Sequence, residues 1–186
     1  MDATEMTNVA GQRFYTGHRD GPVNDSVFRG VSGVALGRNG VLYVADQPNR
    51  CIHAVSGGEV TSIAGRAAES GFSDGVGAEA RFAGPAGLAV DSDGHVIVCD
   101  TASHRLRKMT VPGYEVSTIA GVSMRTQGRT HLDGSALISC LSPGPTCLDI
   151  DSAGDIIFAA SYRICKLTAG DHGSHVVALA GTGSSG

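Results

Sequence analysis

Apolar residues in this chain fall in short runs, β-branched and separated by clusters of Gly, Asp, Asn and Ser. One such pattern occurs three times: GVSGVALGRNGVLYVAD (30–46), GPAGLAVDSDGHVIVCD (84–100) and GPTCLDIDSAGDIIFAA (144–160). In each, a short apolar strand runs into a turn whose glycine (Gly40, Gly94, Gly154) supplies the positive φ such hairpins need. A second, nearly continuous apolar run follows, the signature of a strand covered on both faces. The pattern predicts first strands at 33–36, 87–90 and 147–150, second strands at 41–45, 95–99 and 155–159, and third strands at 50–55, 105–109 and 163–167. A fourth strand closes in Ala-Gly at Gly65, Gly121 and Gly181. The runs are too short and too β-branched to be helices.

Other markers keep the same period. Ala-Gly ends at Gly11, Gly65, Gly121 and Gly181 are 54, 56 and 60 residues apart. Asp-Gly pairs begin at Asp20, Asp74 and Asp133, and eight residues after each aspartate stands Phe28, Phe82 or Leu141. A lone four-stranded sheet cannot bury two apolar faces, so the units must stack, and radial stacking gives an all-β propeller of four-stranded antiparallel blades. The expected organisation is one propeller domain: a terminal strand of a preceding blade at 1–11, repeats at 12–65, 66–121 and 122–181, and the start of a further link at 182–186. First and last residues share one phase, as in a window cut from a longer array. An open arc leaves an apolar face at each end, so the expectation is that further blades or a second chain close a ring.

The stretch DG…ARFAGPAGLAVDSDGHVIVCDTASHRLRKM…VSTIAG resembles the NHL repeat. The matching positions are Asp74, Gly75, Phe82, Pro85, Gly87, Asp91, Gly94, Asp100, Arg105 and Gly121. The first unit matches through Asp20, Gly21, Phe28, Gly33, Gly40, Asp46, Asn49, Arg50 and Gly65. The third keeps Asp133, Gly134, Pro145, Asp151, Gly154 and Arg163, but has Cys147 at the inner glycine and Ala160 at the strand-end aspartate. The resemblance implies a propeller, commonly six-bladed, whose repeats are mostly scaffold.

Composition narrows the function classes. The net charge of −4 over 186 residues gives no basic footprint for nucleic acid or an acidic membrane. No apolar run approaches the length of a membrane helix. The five cysteines (Cys51, Cys99, Cys140, Cys147, Cys165) are odd in number and include no CxxC pair. That argues against a disulfide framework or zinc knuckle and, with no leader pattern at the start, favours a reducing, cytoplasmic setting. Cys99 and Cys147, inside apolar runs, read as small buried hydrophobes.

No nucleophile elbow, phosphate loop, GxGxxG or HExxH motif is present, so no catalytic residue, metal ligand or cofactor is assigned. Asp46 and Asp100 end second strands and, with Arg50, Arg105 and Arg163, read as structural: carboxylates accepting turn N–H groups, arginines bracing the blade. Because Ala160 replaces the third aspartate, losing one should cost only about 1–2 kcal/mol. Asp149 stands where Ala35 and Ala89 stand in the other innermost strands, so it must face a wet channel or have a partner. The links QRFYTGHRDG, RAAESGFSDG and VSMRTQGRTHLDG carry Arg13, Phe14, Tyr15, His18, Arg66, Phe72, Arg125, Arg129 and His131. Loops on a rigid frame, rich in aromatic and arginine side chains, suit a protein partner. The expected function is a non-catalytic scaffold binding a protein through one loop face. The alternatives are a metal-dependent propeller hydrolase or lyase, lactonase-like, and an RNA-binding module of the NHL type.

Overall fold

The computed structural model describes residues 7–121, 134–138, 141, 143–160, 162–168 and 174–181. Each repeat unit folds into one antiparallel sheet. The first contains β1 (Gly21–Pro22), β2 (Val31–Leu36), β3 (Leu42–Asp46), β4 (Cys51–Ser56) and β5 (Glu59–Gly65). The second contains β6 (Gly75–Val76), β7 (Pro85–Val90), β8 (Val96–Asp100), β9 (Arg105–Met109) and β10 (Glu115–Ala120). The third contains β11 (Gly134–Ser135), β12 (Cys147–Ile150), β13 (Ile156–Ala160), β14 (Arg163–Thr168) and β15 (His175–Ala180).

Where four strands were expected there are five, ordered β1-β5-β4-β3-β2 and likewise in the other sheets. The added strand starts at the glycine of each Asp-Gly pair and lies along the outer edge, with Gly21 opposite Val60, Gly75 opposite Val116 and Gly134 opposite Val176. The pair thus opens a short strand of its own. Residues 7–11, which end in Ala-Gly like a fourth strand, form no strand; Gly11 N–H donates instead to the Val23 carbonyl at 2.8 Å.

The blades stack side by side with β2, β7 and β12 adjacent as the innermost strands. Leu88, Val96 and Val98 of the second blade pack against Tyr43, Ala45 and Ile52 of the first. Ile97, Cys99 and Leu106 meet Leu141, Ile156 and Phe158 of the third. Both apolar faces of β8 are buried in this way, which is why its sequence lacks alternation. Close approach of the inner strands fixes two glycines: a Cβ on Gly33 would lie 2.2 Å from the Ala86 carbonyl, and one on Gly87 would lie 2.8 Å from that of Thr146.

Cys147 holds the position of those glycines in the third blade, on the face no described residue covers, and it is exposed. The buried reading of Cys147 therefore fails, while Cys51, Cys99 and Cys165 are buried. Burial, with the nearby Asp46 and Asp20 charges, pushes the Cys51 thiol up to about 12. Brief alkylation of the native protein followed by peptide mass mapping should label Cys147 and spare these three. Equal labelling of Cys99 and Cys147 would contradict this packing.

Candidate functional site: the strand-end cluster and the links

The second strands of the first two blades end in buried aspartates, which satisfy the N–H groups of a turn closed to water. The Asp100 carboxylate accepts the Ala83 N–H at 3.0 Å, the Gly84 N–H at 2.7 Å and the Ser103 hydroxyl at 2.6 Å. Asp46 does the same with the N–H groups of Arg29 (2.9 Å) and Gly30 (3.1 Å) and the Asn49 side-chain amide (2.8 Å). Each carboxylate ties the entry of its innermost strand to the exit of the second.

The arginine that braces the second blade is Arg107, not Arg105. Arg107 is fully buried, 3.5 Å from Asp100 through Nη1 and 2.7 Å from Asp74 through Nη2. It also donates to the carbonyls of Arg81 and Ser73 and lies over the Phe82 ring. Asp74 in turn accepts the N–H and hydroxyl of Thr118 on β10. Burial pushes the Asp100 carboxyl up, against the pull of Ser103, the Gly84 N–H and Arg107. Arg105 instead covers the Phe72 ring at 4.2 Å and donates to the Ser103 carbonyl. Strand pairing places Arg105 and Arg163 opposite Asp100 and Ala160, but Cys51 opposite Asp46. Arg50 is therefore a turn residue, with φ +59° like His104, and not the counterpart of Arg105.

In the first blade His53 takes the place of Arg107. Its Nδ1 lies 3.5 Å from Asp20 Oδ1 and 3.2 Å from Ser62 Oγ, and its Nε2 lies 3.9 Å from Asp46 Oδ2 with no hydrogen-bond partner. Burial depresses the imidazole below its usual value, opposed by Asp20 and Asp46. Ser62 donates its N–H to Asp20 (2.8 Å) and its hydroxyl to the same carboxylate (2.9 Å), repeating the Thr118–Asp74 pair. His18, exposed on the link, reaches Ser62 Oγ with Nε2 at 3.0 Å.

The third repeat keeps Asp133, which lies outside the described residues, but replaces the rest of the unit. Ala160 stands for the aspartate, Cys165 for the cation and Ala178, opposite Cys165, for the hydroxyl residue. Pro143, in the phase of Ala83, has no N–H to satisfy. The sequence singled out the aspartates but missed His53, Arg107, Ser62 and Thr118. The available signal was the 54-residue period, which aligns His53 with Arg107 in the middle of the third strands.

The first two links run past the same end of the blades, where Asn49 also donates to the Gly17 carbonyl at 2.7 Å. Phe14 is 98% exposed with Arg13 over its ring, and Tyr15 is exposed beside a groove of about 510 Å³ lined by Gln12, Thr16, Gly17, His18, Arg19 and Val27. Arg66 pairs with Glu69 at 3.3 Å, and half-exposed Phe72 is held by Arg105. Arg125, Arg129 and His131 lie outside the described residues. Asp149 is exposed, its carboxylate accepting only its neighbour Ile150 N–H, with no cation beside it among the described residues. Asp149→Ala should therefore change stability by no more than about 0.5 kcal/mol. A loss of several kcal/mol in chemical denaturation would reveal a partner.

Against this geometry, the family model of the NHL repeat matches residues 82–109, the second unit. No curated protein matches the chain. Solved structures match in fold. A protein of unknown function from Bacteroides thetaiotaomicron is 21% identical, with TM-score 0.61 over 70% of this chain and 44% of its own. A gluconolactonase from Xanthomonas campestris is 14% identical, with TM-score 0.54 over 81% of this chain and 47% of its own. An auxiliary nutrient binding protein from Bacteroides ovatus is 18% identical, with TM-score 0.56 over 83% of this chain and 50% of its own. The chain carries an NHL repeat and has the β-propeller fold, and it spans half or less of the length of these structures.

Proposed function

We propose that this propeller segment is a binding module whose links dock a protein partner while the blades hold them in place. The observation that carries the reading is the exposed Arg13–Phe14–Tyr15 segment beside the groove, apolar and cationic on an otherwise acidic chain. An aromatic so exposed adds nothing to the core, and aromatic and arginine side chains are the usual anchors of interfaces. Among the solved structures of this fold, one is named a nutrient binding protein, in keeping with a binding role, and another a gluconolactonase, in keeping with a catalytic one. A lactonase-like reading stands second, because among β2, β7 and β12 the only carboxylate is Asp149. Further blades, or a second chain, would complete the ring.

The double variant Phe14→Ala/Tyr15→Ala tests the reading. It should melt with the wild type, since neither ring is buried, yet lose at least one protein that co-purifies with the wild type in quantitative proteomics. An unchanged co-purification profile would count against the link as the docking site.

A further inference from the structure

We propose that His18, Asp20 and His53 bind one divalent transition-metal ion, of which zinc is the type, on the outer half of the first blade. The inference does not depend on the docking role of the links. The ligand atoms of these three residues lie within 4.8 Å of one another. Asp20 Oδ1 and His53 Nδ1 are 3.5 Å apart, and Ser62 Oγ stands 3.0 Å from His18 Nε2, 2.9 Å from Asp20 Oδ1 and 3.2 Å from His53 Nδ1. Zinc bonds to nitrogen and oxygen of about 2.0–2.2 Å give tetrahedral edges of about 3.3–3.6 Å; the Asp20–His53 edge of 3.5 Å matches, and the remaining ligand pairs, within 4.8 Å, close to that spacing with a small shift of the exposed His18 side chain. The Ser62 hydroxyl, within hydrogen-bond distance of all three, holds them together. Two imidazoles and one carboxylate suit zinc and not calcium or magnesium, which take oxygen ligands.

A second observation is independent of the spacing. His53 is buried and its Nε2 has no hydrogen-bond partner, although the Asp46 carboxylate is 3.9 Å away. A metal on Nδ1 requires the ring proton on Nε2, where it faces that carboxylate. A carboxylate–histidine–metal order is the usual way a ligating imidazole is oriented, and a shift of about 1 Å would turn this 3.9 Å approach into the hydrogen bond it needs. The second blade shows what a purely structural version contains: Arg107 places a fixed positive charge between Asp74 and Asp100. The first blade has the two carboxylates and, in place of the guanidinium, a ligand nitrogen, with His18 added from the link. The exposed positions of His18 and Asp20 give an ion a way in from solvent. A bound ion would staple the 12–21 link to β4.

The test is zinc titration of the whole chain without an affinity tag, by calorimetry and thermal melting, on the wild type, His18→Ala and His53→Arg. His53→Arg copies the second blade, so it should fold while losing the ligand, and His18 is exposed. The expected result is one zinc per wild-type chain with a raised Tm, and loss of both effects in each variant. No zinc binding by the wild type, or zinc binding that either variant retains, would overturn the proposal.

Discussion

Asp100→Ala should cost the fold about 3–5 kcal/mol, the usual result of stranding a buried charge. The sequence alone suggested about 1–2 kcal/mol, on the ground that the third blade does without the residue. The geometry removes that ground. Asp100 and Arg107 are both fully buried, and removing the carboxylate leaves the guanidinium short of one of its two anionic partners and the N–H groups of Ala83 and Gly84 unsatisfied. The third blade has lost the cation, the aspartate and one of the N–H donors together, through Cys165, Ala160 and Pro143. It is therefore a different solution, not a tolerant version of the same one. Two residues in one such network should be strongly non-additive. Asp100→Ala/Arg107→Cys should be no less stable than Asp100→Ala by itself, although Arg107→Cys is damaging too. Urea denaturation of the three variants measures this, and additive losses would contradict the coupling.

Gly121→Ala should be similarly severe, at about 2–5 kcal/mol from a left-handed backbone penalty and a forced displacement. Gly121 has φ +89°, and an added Cβ would lie 2.2 Å from the His104 carbonyl oxygen and 3.1 Å from Leu141. A carbonyl held in a blade cannot step aside as a flexible side chain can. Gly65 repeats the arrangement, with φ +85° and a Cβ position 2.2 Å from the Arg50 carbonyl and 3.0 Å from Phe82. The Ala-Gly ends and the large apolar residue of the next unit, periodic in the sequence, are thus two halves of one contact between blades. A Gly121→Ala protein with an unchanged melting midpoint would show that the fourth strand closes differently.

The period made the blades legible because each turn glycine and apolar run serves one local purpose, repeated. The two-residue outer strands were not legible. Gly21–Pro22 and Gly75–Val76 have no strand pattern of their own and pair only because the preceding aspartate is fastened to Ser62 or Thr118. The buried polar cluster was half legible. Aspartates at strand ends stand out, but a histidine or arginine inside an apolar strand reads as an ordinary polar face until pairing shows which residues flank it. The same held for Arg105, whose position four residues ahead of Met109 said nothing about Phe72, a contact that depends on how the link folds back. Cys147 was misread because a sequence run does not say which face another blade covers.

The proposed division of labour, with rigid blades and links that dock a partner, is tested most directly by site-specific photo-crosslinking in source cells. A photoreactive residue at Phe14 lies on the link, and one at Asn39 lies on the exposed hairpin turn between β2 and β3, away from the strand end that carries Asp46. The account predicts a discrete protein adduct from position 14, abolished by Tyr15→Ala, and none from position 39. Adducts from position 39 with none from position 14 would place recognition on the opposite face and contradict it.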